Sequence, residues 1–169
     1  MPTIEMFVSL KVPDNVAITA FNTLKKTGYK LKQLERSDYY KFDVENDVES
    51  FKKQISNTDI LVNSNKNKCN FSLGNDKKNN KKQNKSGNYK KINVLVQDLD
   101  NGSSLLSTLK ERLGFTNIKK VENGVLWTMY FDKKSDAKKI AVDITKNLLM
   151  NENYQKHKIL KQQNSTYLR

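Results

Sequence analysis

Residues 124–131, Gly-Val-Leu-Trp-Thr-Met-Tyr-Phe, place a large apolar side chain at every second position. These side chains are Val125, Trp127, Met129 and Phe131. Alternation of this kind is typical of a β-strand that buries one face. Residues 37–44, Ser-Asp-Tyr-Tyr-Lys-Phe-Asp-Val, show the same pattern, with Tyr40, Phe42 and Val44 at alternate positions. The two stretches predict that one type of strand occurs twice in the chain.

The segments around these strands also occur twice, in the same order. Upstream, an alternating strand leads into a turn and a helix with one apolar face, which is closed by Gly28 or Gly114. Glycine is favoured there because it adopts the left-handed conformation after a helix without strain. Downstream, a second apolar helix ends at Asn63 or Asn151, and a last short strand follows. The chain is therefore predicted to be a tandem repeat of one small module.

Each module is expected to be an α+β unit with the order β-α-β-β-α-β. A short strand is predicted between the first helix and the alternating stretch. The apolar residues that indicate it are Tyr29, Leu31 and Leu34 in the first module and Phe115, Ile118 and Val121 in the second. Asn123-Gly124 is a typical tight-turn pair and predicts a hairpin before the next strand. In the first module, the second helix is predicted to continue through 60–62, and the last strand to span 69–73.

The modules are predicted at 1–74 and 89–160, with a Lys/Asn-rich linker at 75–88 and a polar tail at 161–169. The linker has almost no apolar residues, so it is expected to be flexible. A module of about 75 residues is marginal alone, because a small domain buries only a modest fraction of its surface. Two modules are therefore expected to stabilise each other.

The alternating strands are the predicted place of this contact, because exposed aromatic faces usually mark an interface. The residues expected at or near it are Tyr40, Phe42, Val44, Trp127, Met129 and Phe131. We expect the modules to pack as a pseudo-two-fold dimer within the chain. A flexible linker of about 15 residues spans about 20 Å and permits this arrangement.

The chain is strongly basic, with 31 Lys and Arg against 18 Asp and Glu and a net charge of +13. Such a charge attracts nucleic acid, anionic lipid or acidic proteins. The alternative is that the chain comes from a lysine-rich proteome, in which solvated surface positions become lysine without any specific partner. One cysteine, Cys69, rules out an intrachain disulfide, which fits a reducing cytosol. No secretory signal and no membrane-spanning stretch is evident, so the expected location is the cytoplasm.

Residue patterns for catalysis are missing from the sequence. The chain has one histidine, His157, and no cysteine cluster, so neither a general base nor a transition-metal site is indicated. Cys69 is interpreted as a small buried apolar residue. Asp98 and Asp100 are expected to have turn and helix-capping roles rather than to bind a cation. We therefore predict no catalytic, cofactor-binding or metal-binding residues in this chain.

Nucleic-acid binding is an alternative, because Tyr39, Tyr40, Phe42 and Trp127 would form stacking platforms on an exposed sheet. RNA-recognition modules have the same order of elements and carry a basic-aromatic signature with glycine in their third strand. Neither 37–44 nor 124–131 contains that signature. Packing or subunit pairing is the simpler role for these aromatic residues.

Several short motifs resemble PurS, the small subunit of phosphoribosylformylglycinamidine (FGAM) synthase. PurS proteins have a first strand that ends in Leu-Lys, as at Leu10-Lys11. Their first helix closes with Leu-Gly-Phe/Tyr, which resembles 27–29 and 113–115, and their second ends in Leu-Leu-x-Asn, which resembles 60–63 and 148–151. The resemblance covers both modules. The Asp-Pro-x-Gly loop of the family and the proline after its asparagine are absent.

The resemblance implies a PurS-like tandem with a bridging role and no active site of its own. PurS proteins dimerise and connect the large synthetase subunit, PurL, with the glutaminase subunit, PurQ. The enzyme is an ATP- and glutamine-dependent carbon–nitrogen ligase of purine biosynthesis, and ATP and Mg belong to the synthetase subunit. The implied partners of this chain are these two subunits, with further self-association also open.

A tandem ACT-type regulatory protein is the other alternative. Its modules have the same β-α-β-β-α-β order and a glycine near the start of the first helix, as at 100–102. Such a protein would bind an amino acid. The second helix that ends in asparagine before a strand favours the PurS interpretation.

Overall fold

The alternating stretches form two long strands that pair at the centre of one antiparallel sheet. A computed structural model describes residues 1–73 and 89–161. Its elements in chain order are β1 (Thr3–Leu10), α1 (Asn15–Lys26), β2 (Gln33–Val44), α2 (Val48–Ser56), β3 (Asn67–Asn70), β4 (Tyr89–Asp98), α3 (Ser103–Ser107), β5 (Ile118–Asp132), α4 (Ala137–Ile144) and β6 (Gln155–Leu160). Helices α3 and α4 continue as π-helical segments, Thr108–Arg112 and Thr145–Leu149. The predicted linker at 75–88 and residues 162–169 of the predicted tail lie outside the described residues.

The six strands are arranged in the order β3-β1-β2-β5-β4-β6, and the helices pack on one face of the sheet. On the strands, Met6, Phe42 and Val94 point toward the helices. Alternate residues such as Phe7 and Tyr39 point to the other face, in a cluster to which no described helix contributes. The mixed α+β class is thus confirmed. No helix in 1–73 or 89–161 is long and apolar enough to cross a bilayer.

Each half has one strand where the sequence pattern predicted two. Tyr29 and Leu31 precede β2 instead of forming a strand, and β5 runs through the predicted turn without interruption. Gly124 is paired with Tyr39 of β2, and a Cβ added to it would lie 2.5 Å from the carbonyl oxygen of Val96. Gly124 is therefore required by the close approach of β4, and the hairpin prediction at Asn123-Gly124 is wrong.

The helix ends agree with the sequence in part. Gly28 and Gly114 follow the first helix of each half with φ of 93° and 74°, so the prediction of left-handed helix-ending glycines is confirmed. Helix α2 ends at Ser56, however, and residues 58–62 form hydrogen-bonded turns. The run 60–62 was predicted to be helical because its three side chains are apolar. Leu61 and Val62 are indeed buried, whereas Ile60 is 53% exposed. Strand β3 is shorter than predicted and stops before Phe71.

Two hydrophobic clusters form the core beneath the helices, and each contains residues from both halves of the chain. Ala17 and Leu24 of α1 lie in a cluster whose other members come mainly from β4, β5 and α4. Leu109, in the helix that follows β4, lies in the cluster built on β1, β2 and α2. The first helix of each half therefore lies in a cluster built from strands of both halves.

Replacing Trp127 by alanine is expected to lower the free energy of unfolding by about 3 to 5 kcal/mol, because the indole is 6% exposed and packs in the cluster shared by both halves. Because that cluster includes α1, the whole described fold should lose stability in one transition. Urea unfolding followed by near- and far-ultraviolet circular dichroism measures this. Two separated transitions, with the first half unaffected, would contradict the shared core.

Candidate functional site

The junction between the halves is the longest strand pairing of the sheet. Strands β2 and β5 are paired from Gln33 opposite Tyr130 to Val44 opposite Ile118, with an irregularity at 43–44. The predicted contact residues lie on these two strands, but the two trios do not face each other. The pairs are Tyr40 with Asn123, Phe42 with Val121, Val44 with Ile118, Trp127 with Arg36, Met129 with Leu34, and Phe131 with Lys90 of β4.

The trios contribute to different clusters. Phe42 and Val44 are fully buried in the cluster on β1 and β2, where Tyr40 stacks on Phe42 with ring centroids 6.3 Å apart. Phe42 also meets the edge of Phe51, 5.3 Å away, and Phe51 meets Phe115 of the second half at 5.9 Å. Trp127, Met129 and Phe131 lie in the other cluster. Besides the strand pairing, the cluster of each trio includes the first helix of the opposite half or the residues at its end.

A polar group lies where the loop after β1 approaches β2. Asp14 caps α1, since its carboxylate accepts hydrogen bonds from the backbone N–H groups of Val16 and Ala17 at 2.9 and 3.3 Å. Its other oxygen accepts from Nε of Arg36 at 2.9 Å. Asp14 therefore holds both the start of α1 and strand β2.

The carboxylates of this group have opposite pKa shifts. Burial alone would raise the pKa of Asp14, but the hydrogen bonds from Arg36, Ala17 and Val16 lower it below the ordinary 3.8. Burial raises the pKa of Asp38, and the charge of Arg36 opposes this only in part. Burial, with the charge of Asp38, raises the pKa of Tyr40 to about 12. Of these three groups, Asp14 has the best-stabilised charge.

In the second half, neutral groups hold the loop after β4 against β5. The side-chain amide of Asn101 donates to the carbonyl of Asn123 at 2.8 Å and accepts from its N–H at 2.7 Å. Asn101 thus pairs with the exposed edge of β5 as a strand would. Next to it, Gly102 has φ of 88°, and a Cβ there would overlap the carbonyl of Val121. The loop after β4 can lie directly on β5 only with glycine at this place.

In the first half the corresponding loop contacts β2 through Asp14 and Arg36 and borders a cavity of about 390 Å³. Polar residues lining it include Ser9, Arg36, Ser37 and Lys68. Asp14 and Glu35 also line it, but hydrogen bonds within the protein engage both oxygens of each carboxylate. Apolar side chains such as Phe7, Leu34 and Leu126 also line it, so the cavity combines apolar walls with hydroxyl and cationic groups.

Neither Arg36 nor Asn101 was predicted from the sequence as a junction residue. Asp98 and Asp100 were expected to cap a helix, yet the residue at the N-cap of α3 is Gly102, and Asp98 instead accepts a hydrogen bond from Gln155 at 2.9 Å. A usable signal was present: Asp14 and Asn101 both follow the first strand of their half and precede its first helix. Short side chains with oxygen atoms at such positions commonly bond to a nearby backbone.

The residues weighed for chemistry lie apart from one another. His157 is on the edge strand β6, opposite Val96, whereas Cys69 is on β3 at the other edge of the sheet. Burial raises the pKa of the Cys69 thiol, which lowers its thiolate fraction. No group of three or more His, Cys, Asp or Glu side chains within 1–73 and 89–161 is arranged to hold a metal ion.

No model of a known protein family matches the chain, and no curated protein is significantly similar to it in sequence. The likeness to PurS proteins is therefore a resemblance of short motifs.

Replacing Asp14 by asparagine should weaken the ion pair with Arg36 and preserve helix capping, because asparagine caps as well as aspartate. At pH 7 we expect a loss of about 1 kcal/mol in the free energy of unfolding. The folded-state pKa of Asp14 is lowered, so its charge stabilises the fold above the unfolded pKa. This contribution is lost as the pH falls through the folded pKa.

Urea unfolding of the wild type and of D14N at pH 7 and at about pH 3 measures this difference. The difference in stability between the two proteins should be smaller at the lower pH. The variant N101A is the control in the other half, because it removes a neutral contact and adds no titratable group, so its difference from the wild type should not depend on pH in this way. A D14N difference that is constant or grows on acidification would contradict the assignment.

Proposed function

We propose that the chain is a pseudo-dimer of two PurS-like modules and acts as a non-catalytic bridging subunit of a cytoplasmic FGAM synthase. The observation that carries the proposal is the reciprocal pairing of β2 with β5. Phe42 is opposite Val121, and Met129, which corresponds to Phe42 in the repeat, is opposite Leu34. At the centre, Asp38 is opposite Val125, the residue that corresponds to it. Such pairing is what a two-fold axis between two copies of one module produces.

The exchange of helices supports the same proposal. Leu24 of α1 is 1% exposed in a cluster made largely by the second half, and Leu109 is fully buried in the cluster made largely by the first. A single module would lack the members of each cluster that come from the other half and would leave part of each helix face open to water. The need for a second copy is met within one chain, where single PurS modules meet it by dimerisation.

A bridging subunit offers surfaces rather than reactive groups. In the proposed assembly, this chain connects the large synthetase subunit, which uses ATP and Mg, with the glutaminase subunit. It helps ammonia to pass between their active sites. The chain itself binds no cofactor in this proposal. The enzyme as a whole is the ligase, and the chain contributes to its assembly.

The tandem interpretation predicts that neither half is stable alone. Fragments 1–74 and 89–169 should each be unfolded or aggregated when expressed separately, because each would expose the helix face that the other half buries. Mixed and refolded together, they should form a 1:1 complex with a cooperative unfolding transition. Circular dichroism and analytical ultracentrifugation measure this. Two stable monomers that ignore each other would refute the pseudo-dimer.

The functional proposal predicts a stable complex with the large FGAM synthase subunit and the glutaminase of the same organism. Size-exclusion chromatography of the three proteins with ATP, Mg and glutamine should give one co-eluting peak. The W127A variant is a useful comparison, because partial unfolding should reduce co-elution in proportion to the unfolded fraction. Failure of the folded wild type to co-elute with either subunit would reject the bridging role.

An ACT-like regulatory role is the second candidate, and the cavity of about 390 Å³ at the loop after β1 favours it. A protein of this kind would be stabilised by an amino acid according to RT ln(1 + [L]/Kd). The bridging subunit should show no shift of its melting temperature with any of the twenty amino acids. A clear shift with one of them, together with no co-elution, would select the regulatory role.

A further inference from the structure

Exposed lysines are concentrated at the end of the sheet where β2 and β4 begin and β5 ends. We call this surface the basic end. Its members are Lys30, Lys32, Lys90, Lys133, Lys134, Lys138 and Lys139, together with Asp132 and Asp136. Backbone contacts bring them together: the N–H of Lys32 donates to the carbonyl of Tyr130 at 2.8 Å, and Tyr89 is opposite Asp132. The side chain of Lys90 donates to the carbonyl of Ser135 at 2.8 Å.

Most of this charge is uncompensated. Lys32 is 3.5 Å from the carboxylate of Asp132. Among the described residues, the other six lysines of the basic end make no ion pair. Seven lysines against two aspartates leave a strong local excess of positive charge. Repulsion between exposed like charges costs stability unless an anion or an acidic surface offsets it.

The opposite end of the sheet, where β5 begins and β2 ends, differs in charge. The turn between β2 and α2 contains Glu45 and Asp47, where the turn between β5 and α4 contains Lys133 and Lys134. Glu45 pairs with Lys119 at 3.2 Å, and Glu49 of α2 pairs with Lys52 at 3.0 Å. The two ends occupy equivalent places in the repeat, yet only the basic end has a large excess of one sign.

We propose that the basic end is a docking surface for an acidic surface of one partner protein, and that the balanced end does not accept that surface. The inference rests on the proposed bridging function and adds that the two ends of the bridge bind different surfaces. A dimer of identical modules has two equal ends, whereas this chain distinguishes them by charge. Tyr89, which is 46% exposed beside Asp132, supplies an aromatic contact of the kind that interfaces favour.

A protein partner fits this surface better than nucleic acid does. Asp132 and Asp136 lie among the lysines, so the surface presents acceptors as well as cations. A phosphate backbone has no donor for these carboxylates, whereas a polypeptide brings backbone N–H groups together with its own carboxylates. On a protein surface, lysines and aspartates of the partner can alternate to match them. Charge complementarity of this type directs association and selects the partner.

The test compares two variants that have the same change in net charge. K133E/K134E reverses two charges of the basic end, and K53E/K66E reverses two exposed lysines of the first half that make no ion pair among the described residues. The probe is fluorescent polyglutamate of about 20 residues at about 50 mM salt, with binding measured by anisotropy. We expect K133E/K134E to weaken binding about tenfold and the control by about twofold or less, with added salt removing the difference. Circular dichroism verifies that both variants are folded.

Equal losses in the two variants, or no binding by the wild type, would overturn the docking surface. A single-stranded oligonucleotide of the same charge is the second probe. If it binds more tightly than polyglutamate and depends on Lys133 and Lys134, the partner is nucleic acid and the proposal is wrong.

Co-elution distinguishes failure of the docking surface from failure of the bridging role. If wild type and K133E/K134E retain both synthase subunits equally, the bridging role stands and the docking surface fails. If the wild type retains neither while the polyglutamate difference holds, the bridging role fails and the acidic-partner surface stands.

Discussion

The backbone pairing of β2 with β5 is the constraint on which the rest of the structure depends. The two strands have 12 and 15 residues, and their pairing joins what would otherwise be two three-stranded sheets. Strand β1 covers only the second part of β2, and β4 covers only the second part of β5. The first part of each strand is therefore paired with the other half alone. Helices α1 and α3 then close over this shared region, so the apolar faces of both helices depend on the junction.

The same constraint explains the polar residues at the junction. Where β1 leaves β2, the freed edge of β2 must be held by the following loop, and Asp14 does so through Arg36. Where β4 leaves β5, Asn101 holds the edge through the backbone of Asn123. A charged contact and a neutral one thus occupy equivalent places. Because both halves belong to one chain, a substitution at one place need not be compatible with the same substitution at the other. Two identical subunits do not have this freedom.

The sequence pattern was sufficient to identify the alternating parts of β2 and β5 and the first helix of each half, because burial on one face imposes a period on the residues. It was misleading at Asn123-Gly124, where glycine accommodates the neighbouring strand and not a turn. Alternation also showed that Phe42 and Met129 are buried, but it contains no information on register. The opposing residues Val121 and Leu34 therefore became clear only from the strand pairing. Arg36 was missed because an arginine between polar neighbours has no periodic signal, and its partner is determined by the loop that crosses it.

The difference in charge between the ends bears on the proposal that two modules are joined in one chain. A covalent connection raises the effective concentration of the second module, which favours the closed pair over mixed or open assemblies. It also fixes the stoichiometry, so that each assembly contains one basic and one balanced end. In a dimer of separate chains, both forms would have to find each other and avoid self-pairing. The sheet itself gives no such discrimination, because backbone hydrogen bonds across β2 and β5 are nearly independent of side chains. Linkage within one polypeptide supplies the discrimination that the strand pairing lacks.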